Sequence, residues 1–149
     1  MDDIKLQGLD TKGNEKEFSL NDFKGQKVII YFYPKDYTSG CALEACDFRD
    51  NINRLTNYAT VIGVSPDSIK SNQSFKEKQS LNFILLSDPE HKLAEYFEVW
   101  KEKSMYGRKY MGIERSTFII DKNGKIEKEW RKVKVKGHVD EVIEYLSAI

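Results

Sequence analysis

A buried strand at the centre of a sheet is predicted by the stretch Lys27-Val28-Ile29-Ile30-Tyr31-Phe32-Tyr33. Nearly every position in it is apolar, which is typical of a strand covered on both faces rather than of an edge strand with one face in water. Pro34 follows directly and ends the strand. The apolar run is far shorter than the roughly 20 residues that a membrane-spanning helix needs. The stretch therefore indicates a folded sheet protein, and a membrane is not an expected partner.

Short strands alternate with helical segments on both sides of this stretch, and that pattern predicts an α/β fold. Upstream, segments 4–9 and 15–18 flank a turn-forming cluster at 11–14, which indicates an N-terminal β-hairpin. Downstream, apolar runs predict strands at 59–64, 83–86, 117–120 and 125–131. Helical periodicity predicts helices over about 38–55, 68–79 and 139–146.

Two further segments complete the expected order of elements. Asp88 and Pro89 are typical of a helix cap and a first helical position, and they predict a helix that starts there and continues to Phe97. Residues 99–112 show no clean period, so we expect a long loop, a kind of segment that is often functional. Its aromatic residues are candidates for a pocket mouth or a docking site, and ordinary loop packing is an equal alternative: Trp100, Tyr106 and Tyr110.

The composition fits one domain without a strong preference for charged partners. The chain has 149 residues, with 24 Lys and Arg against 24 Asp and Glu, so its formal net charge is zero. We expect a single domain over residues 1–149, because no linker, repeat or low-complexity tract divides the chain. Segment 122–136 is rich in Lys and Arg, but in a neutral chain the solvated face of a hairpin is favoured over a nucleic-acid patch. Nucleic acid is therefore not an expected partner.

The amino terminus and the cysteine count indicate a reducing compartment. Asp2 and Asp3 stand where a signal peptide would carry basic residues, and no apolar stretch follows them, so we expect a cytoplasmic protein. The chain contains two cysteines, too few for a disulfide framework. Thiols in a reducing compartment are core residues, reactive groups or metal ligands, and the surroundings of Cys41 and Cys46 have to distinguish these roles.

Cys41 follows a strand, a proline and the short segment 38–40, which places it in the first turn of a predicted helix. A thiol with an ordinary pKa near 8.5 is only about 3% thiolate at pH 7, and the thiolate is the nucleophile. A shift of such a pKa to about 6 needs about 3.4 kcal/mol, of which a helix N-terminus supplies about 0.3–2 kcal/mol. A reactive cysteine at this position therefore requires a second source of positive charge, most simply an arginine.

Cys46 lies five residues after Cys41 in the same predicted helix. In an α-helix this spacing separates the two α-carbons by roughly 8–9 Å and turns the second side chain by about 140°. A disulfide usually needs less than about 7 Å between α-carbons, so pairing would require the helix to unwind locally. Core packing of Cys46 is an equally open interpretation of the spacing alone.

Other chemistries find little support in the sequence. His91 and His138 are far apart and show no paired spacing with the cysteines, so no metal site is expected. A cysteine hydrolase would need a general base next to Cys41, and the sequence suggests none there. Glu44, three residues after Cys41, has two interpretations: it reaches toward the helix start or an arginine, or it is one of many exposed carboxylates.

The segment 34–46 joins these features in one pattern. It contains Pro34-x-x-x-Thr38-x-x-Cys41, which resembles the active-site signature of the peroxiredoxins. The placement of Cys46 is similar to that of the resolving cysteine in their bacterioferritin-comigratory-protein branch.

Later segments extend this resemblance over nearly the whole chain. Residues 113–121, which include Arg115, resemble the arginine-bearing strand of the family, and residues 137–139 resemble the start of its last helix. The resemblance implies a thioredoxin-like α/β fold with a central mixed β-sheet flanked by helices.

The resemblance also implies a peroxidase site built around Cys41. Cys41 would attack hydrogen peroxide or an organic hydroperoxide and become a sulfenic acid. Arg115 would stabilise the thiolate and contact the peroxide, and Thr38 would hydrogen-bond both through its hydroxyl. Pro34 would shield the sulfenate from water, and Glu44 is a possible supporting residue. The substrate-binding set would be Thr38, Gly40, Cys41 and Arg115.

Cys46 would then resolve the sulfenate in an intramolecular disulfide with Cys41, and a dithiol reductant, usually thioredoxin in this family, would restore both thiols. No cofactor is implied, and a monomer is the expectation for this branch. Ser39 and Ala42 stand where the family commonly has proline and threonine, and neither position supplies a reacting group. Two alternatives stay open: a non-enzymatic thiol redox sensor or chaperone switched by the same disulfide, and a thioredoxin-type disulfide reductase, which would be expected to carry Cys-x-x-Cys.

Overall fold

The strand predicted at the centre of the fold is β3 (Val28–Phe32), and each of its side chains is buried. In the computed structural model, which describes residues 4–148, β3 lies between β4 (Thr60–Ser65) and β8 (Ser116–Ile120). It pairs parallel with β4 and antiparallel with β8, so the sheet is mixed. Its side chains alternate between two hydrophobic clusters, one on each face of the sheet, which explains the unbroken apolar run.

The remaining elements surround this central strand. The other strands of the main sheet are β1 (Lys5–Leu9), β2 (Glu15–Ser19), β5 (Ile84–Ser87) and β9 (Ile126–Trp130), and the seven described strands lie in the order β2-β1-β5-β4-β3-β8-β9. A 3-10 turn follows β2, and the helices are α1 (Ser39–Asp50), α2 (Ile52–Leu55), α3 (Ile69–Gln79), α4 (Lys92–Tyr96) and α5 (His138–Ser147). The predicted α/β fold with a central mixed sheet and flanking helices is confirmed.

The predicted N-terminal hairpin is present as β1 and β2, which pair antiparallel. The Asp10 carboxylate closes its turn by accepting the backbone N–H groups of Lys12 and Asn14, both at 2.9 Å. The hairpin joins the main sheet through antiparallel pairing of β1 with β5.

The prediction of a loop over 99–112 is wrong, because this segment forms a second β-hairpin. Its strands are β6 (Trp100–Met105) and β7 (Arg108–Ile113), which pair as a separate two-stranded sheet. Tyr106 and Gly107 form the turn with positive φ angles of 53° and 79°, which match the twist of a tight hairpin. Most side chains of both strands are exposed, so the sequence lacks the alternation of apolar and polar residues that reveals a half-buried strand.

The helix predicted over 38–55 is interrupted at Asn51. This residue has φ −110° and ψ 11° and ends α1, and its side-chain amide donates to the Asp47 carbonyl at 2.8 Å. The short helix α2 follows as a separate element. An asparagine side chain that bonds to nearby backbone competes with helix continuation, which accounts for the break.

The helix predicted to start at Pro89 begins at Lys92 instead. The Asp88 carboxylate does accept the N–H groups of the first turn of α4, at 2.8–3.1 Å. However, His91 precedes the helix with a left-handed φ of 60°, which separates Pro89 from the helical residues. Asp88 therefore caps the helix from a turn before it rather than from the adjacent position.

The packing of α1 on the sheet positions the sequence motif. Residues 33–38 connect β3 to α1, which packs on the same sheet face as α3 and α5. Phe48 of α1 is fully buried, and its ring stacks on that of Tyr31 in β3 with 4.5 Å between centroids. None of the helices within residues 4–148 has the length and apolar character needed to cross a membrane.

Gly8 allows β1 to approach β5 closely. A Cβ at this position would lie 2.5 Å from Leu86 Cδ2 and 2.7 Å from the Leu85 carbonyl oxygen. We predict that Gly8→Ala lowers the free energy of unfolding by about 1–3 kcal/mol, the usual cost of forcing a methyl group into a filled site. Thermal unfolding should then show a Tm lower by about 3–10 °C.

Gln7→Ala is the matched control, since Gln7 is the exposed neighbour of Gly8 on the same strand. Its Tm should stay close to that of the parent protein. Equal Tm values for the two variants would contradict the close approach of β1 and β5.

Candidate active site

Cys41 lies in the first turn of α1 and is almost completely buried. Nη2 of Arg115 donates to Sγ of Cys41 at 3.0 Å. Arg115 stands between β7 and β8, and Phe32 at the end of β3 pairs with Ser116 at the start of β8. The sheet register therefore brings the guanidinium to the level at which the chain leaves β3 for α1. The structure thus brings together the two residues that the sequence motifs placed in one site.

Glu44 holds the other side of the same guanidinium. Its Oε1 accepts from Nη1 of Arg115 at 2.6 Å, and its side chain is only 1% exposed. Because Glu44 stands three residues after Cys41 on α1, both groups face Arg115 from neighbouring positions of one helix face. Of the two sequence interpretations of Glu44, the structure shows the one in which it reaches an arginine.

Burial dominates the pKa of Glu44 but not that of Arg115. It raises the pKa of Glu44 to about 7, against the lowering effect of the Arg115 charge. Burial also opposes the charge of Arg115, but the neighbouring Glu44 and Cys41 outweigh that effect and raise the pKa of the guanidinium. Arg115 therefore remains a cation at physiological pH. A fixed cation in a largely buried site is well suited to stabilise a thiolate and any negative charge that develops beside it.

Three further residues of the predicted site lie around the start of α1. A Cβ built on Gly40 would lie 3.5 Å from Nη2 of Arg115, so the backbone of Gly40 borders the guanidinium. Thr38 precedes α1 as its N-cap, and its hydroxyl donates to the Lys35 carbonyl at 3.1 Å without capping the helix. Pro34 is half-buried and opens the loop 34–38. In this arrangement the Thr38 hydroxyl stabilises the loop.

Asp36, which the sequence motifs did not single out, anchors the same loop. Its buried carboxylate accepts from Tyr33 Oη at 2.7 Å, Ser71 Oγ at 2.9 Å and Asn72 Nδ2 at 2.7 Å, and its backbone N–H donates to Asp67 Oδ2 at 2.7 Å. Burial, together with the charge of Asp67, raises the pKa of Asp36 to about 6 against the lowering effect of its hydrogen bonds. An aspartate in a loop carries no sequence signal of such a network, because most of its partners are distant along the chain.

Lys103 is a second cation near Cys41 that the sequence motifs did not reveal. It lies on β6 opposite Tyr110, and its stem crosses Gly112, where a Cβ would lie 3.3 Å from Lys103 Cδ. Burial and the like charge of Arg115 lower the pKa of Lys103, whereas the nearby Cys41 opposes that shift. The β6–β7 hairpin therefore carries a cation that interacts electrostatically with Cys41 and Arg115, and the sequence did not reveal it because the hairpin itself was not predicted.

Both histidines have structural partners. His91 stacks on Trp100 with 3.6 Å between ring centroids. His138 is buried, with Nε2 2.8 Å from Thr117 Oγ1 and Nδ1 3.1 Å from Glu141 Oε1, and burial lowers its pKa. Across residues 4–148, no three His, Cys, Asp or Glu side chains are grouped so that they could hold a metal ion.

Cys46 is half-buried on α1, and its Sγ donates to Gln79 Oε1 at 3.3 Å. Both cysteines are free thiols in the structure. Since α1 is continuous past both, they occupy an intact helix in which about 8–9 Å separates their α-carbons. That α1 must unwind locally before a disulfide forms remains a prediction. The state from which it would unwind is the intact helix with both thiols free.

Comparison with known proteins identifies the relatives of this chain. The model of the family described as AhpC/TSA matches residues 1–129. Peroxiredoxin Bcp of Bacillus subtilis is 56% identical over 144 residues, which cover 95% of this chain and 92% of that protein. Peroxiredoxin Bcp of Escherichia coli is 45% identical over 132 residues, which cover 88% of this chain and 85% of that protein.

Solved structures agree with this relationship. The bacterioferritin comigratory protein of Xanthomonas campestris, described as having alkyl peroxide reduction activity, superposes with a TM-score of 0.88 at 41% identity over 97% of this chain and 90% of its own. A cysteine-to-serine mutant of Xylella fastidiosa PrxQ gives a TM-score of 0.89 at 42% identity over 97% of this chain and 88% of its own. These matches confirm the thioredoxin-like fold that the sequence resemblance implied.

Arg115→Ala should slow the alkylation of Cys41 by iodoacetamide at neutral pH by about 10–100-fold, because a hydrogen bond to a charged group contributes about 1.5–3 kcal/mol. Arg115→Lys keeps the charge but not the planar fork that holds Cys41 and Glu44 together, so its rate should be intermediate. Peptide-resolved mass spectrometry measures both cysteines separately.

Cys46 is the internal control for these alkylation rates, and Arg54→Ala, on an exposed arginine, is the matched control variant. Circular dichroism should verify that each variant is folded. An alkylation rate of Cys41 that is the same in Arg115→Ala and Arg54→Ala would remove Arg115 from the site.

The raised pKa of Glu44 predicts how stability depends on pH. The carboxyl titrates near 7 when folded and near its ordinary value of 4.5 when unfolded, so the folded state binds more protons between these values. The free energy of unfolding should therefore fall as pH rises through that window, by about 3 kcal/mol relative to Glu44→Gln. Urea unfolding of both proteins at a series of pH values measures this difference, and parallel stability curves would contradict it.

Proposed function

Because this chain belongs to the AhpC/TSA family and is a peroxiredoxin, we propose that Cys41 is its peroxidatic thiol and Cys46 its resolving thiol. The observation that carries the proposal is the placement of Arg115, whose guanidinium contacts Cys41 Sγ at 3.0 Å and Glu44 Oε1 at 2.6 Å. The substrates are hydrogen peroxide and organic hydroperoxides, in keeping with the alkyl peroxide reduction described for the Xanthomonas campestris relative.

The first step is attack of the Cys41 thiolate on the terminal oxygen of the hydroperoxide. A sulfur–oxygen bond forms, the oxygen–oxygen bond breaks, and the transferred oxygen stays on sulfur as the sulfenic hydroxyl. The leaving oxygen takes up the equivalent of the proton that the Cys41 thiol had released, and becomes water or an alcohol. Negative charge moves from sulfur to the leaving oxygen during this step, so a donor beside both atoms stabilises the transition state. Arg115 has the charge for that role, and its Nη2 lies beside the sulfur while Glu44 holds Nη1.

The start of α1 supplies further groups for the same step. The first N–H groups of a helix have no partner within it, and Gly40 and Cys41 lie in this turn. The oxygen of the Thr38 hydroxyl orients the peroxide, and Pro34 limits access of water to the sulfenate. Glu44 does not meet the substrate in this proposal; it positions Arg115.

The second step joins the two cysteines. The Cys46 sulfur attacks the sulfenic sulfur of Cys41, and the hydroxyl leaves with the Cys46 proton as water. Since an intact α1 keeps the α-carbons about 8–9 Å apart and a disulfide needs less than about 7 Å, part of α1 has to unwind first. Formation of the disulfide keeps the sulfur on the reversible part of the oxidation ladder.

A reductant completes the cycle by reducing the disulfide to two thiols. In this proposal the reductant is a dithiol protein of the thioredoxin type, and the enzyme acts as a cytoplasmic monomer with residues 1–149 as one domain. The exchange needs an attacking thiolate that reaches one of the two sulfurs. Local unwinding of α1 would make that sulfur accessible, because Cys41 is almost completely buried while the helix is intact.

Stoichiometric hydrogen peroxide followed by mass spectrometry tests the two-cysteine route. We expect the mass of two hydrogens to be lost and a linked peptide that contains Cys41 and Cys46. Cys46→Ser should stop at a Cys41 sulfenic acid that dimedone traps, and Cys41→Ser should not react. Two thiols that can still be alkylated after peroxide treatment would refute the mechanism.

Turnover separates the enzyme from a redox sensor. With thioredoxin, its reductase and NADPH, repeated additions of peroxide should consume NADPH in proportion. A disulfide that forms once but is not cycled under these conditions would favour the non-enzymatic switch.

A further inference from the structure

Two contacts hold the region of Cys46 against one residue of α3. Cys46 Sγ donates to the side-chain Oε1 of Gln79 at 3.3 Å, and Nη1 of Arg49 donates to the backbone carbonyl of the same Gln79 at 2.6 Å. Gln79 is the last residue of α3, and Ser80 turns the chain away with a left-handed φ of 52°. The Gln79 carbonyl is one of the last four in its helix and needs a partner from outside. Arg49 supplies that partner, as basic side chains at helix C-termini commonly do.

These contacts point Cys46 away from Cys41. The two side chains are separated by about 140° around the axis of α1, so Cys41 faces Arg115 while Cys46 faces α3. For a disulfide to form, the Cys46 sulfur has to leave Gln79 Oε1. The Arg49 contact lies less than one turn further along α1 and holds the same part of the helix in place.

We propose that Gln79 and Arg49 form a clamp that sets the rate at which Cys46 resolves the Cys41 sulfenic acid. The proposal rests on the Cys41–Cys46 route described above. Both are positioning residues, since they act through Cys46 and do not meet the peroxide. While the clamp is closed, α1 stays helical, Cys41 stays beside Arg115, and the protein is ready for peroxide but not for resolution.

The clamp acts on the competition between two fates of the sulfenic acid. In resolution, the sulfur–sulfur bond forms, the Cys41 sulfur–oxygen bond breaks, and the hydroxyl leaves as water with the Cys46 proton. In overoxidation, a second peroxide transfers an oxygen to the same sulfur and gives a sulfinic acid, which is irreversible without a dedicated repair enzyme. A slower opening of the clamp therefore increases the sulfinic fraction at high peroxide.

The clamp is separable from the core packing of α1. Phe48 is fully buried and stacks on Tyr31, whereas Cys46, Arg49 and Gln79 are half-buried polar residues at the edge of the helix interface. Removal of one polar contact therefore leaves the packed face of α1 intact. Clamp variants are expected to fold and to react with peroxide at the parent rate.

Two substitutions of Gln79 test the side-chain contact in opposite directions. Gln79→Met keeps the size of the side chain but removes the acceptor, so disulfide formation should be about 2–10-fold faster, the range that corresponds to one neutral hydrogen bond. Gln79→Glu keeps an acceptor for the thiol, so its rate should equal the parent rate or be slower. The rate is measured by mixing reduced protein with excess hydrogen peroxide, quenching with acid, alkylating and counting disulfide by mass spectrometry.

Arg49→Met removes the second contact and should accelerate disulfide formation by about 10–100-fold, because its donor is charged. Gln73→Met is the matched control, since Gln73 is on the same helix six residues earlier and about 240° around its axis. In the two accelerated variants, the sulfinic fraction at high peroxide should fall while the rate of sulfenic acid formation stays unchanged.

The outcomes separate this proposal from the one on which it rests. Failure of the parent protein to form any Cys41–Cys46 disulfide overturns the two-cysteine mechanism. If the disulfide forms in the parent but Gln79→Met, Arg49→Met and Gln73→Met all resolve at the parent rate, the clamp is refuted and the mechanism stands. Equal acceleration in Gln79→Met and Gln79→Glu would indicate a general weakening of α3 and would also refute the clamp.

Discussion

The rest of the site depends on one interaction: the Arg115 guanidinium contacts both Cys41 and Glu44. One nitrogen contacts Cys41 Sγ and another contacts Glu44 Oε1, although Arg115 is more than seventy residues further along the chain than either. The sheet brings these groups together. The chain leaves the end of β3 and enters α1, which carries Cys41 and Glu44, and the antiparallel pairing of Phe32 with Ser116 places Arg115 beside that end of β3. The buried strand β3 therefore sets the relative positions of Cys41 and Arg115.

The Glu44–Arg115 ion pair is costly, because burial penalises the charged form of Glu44. Glu44 is buried, and burial raises its pKa to about 7 in spite of Arg115. Buried ion pairs often contribute little net stability, because desolvation of both charges offsets their attraction. Removing one partner is much worse, since it leaves an uncompensated charge in the interior. The main effect of the pair is therefore on orientation: Glu44 holds the Arg115 guanidinium so that its Nη2 points at Cys41 Sγ.

The sequence predicted those parts of the molecule that depend on local pattern. The β3 strand, the N-terminal hairpin and the position of Cys41 at a helix start follow from short motifs with a physical basis. Local reasoning required a cation beside Cys41, and only the family resemblance identified it as Arg115. The β6–β7 hairpin did not, because both of its faces are largely exposed and its strands lack alternation. Asp36 and Gln79 were missed for another reason: their roles come from partners on other elements, and no local spacing reveals such contacts.

A double-mutant cycle on sulfenic acid formation tests the central claim most directly. The second-order rate constant with hydrogen peroxide is measured for the parent, Glu44→Gln, Arg115→Ala and the double variant. If Glu44 acts by holding Arg115, the double variant should react at the rate of Arg115→Ala alone, so the two effects are strongly non-additive. Additive losses in the activation free energy would contradict the account, because they would show that Glu44 and Arg115 influence Cys41 independently.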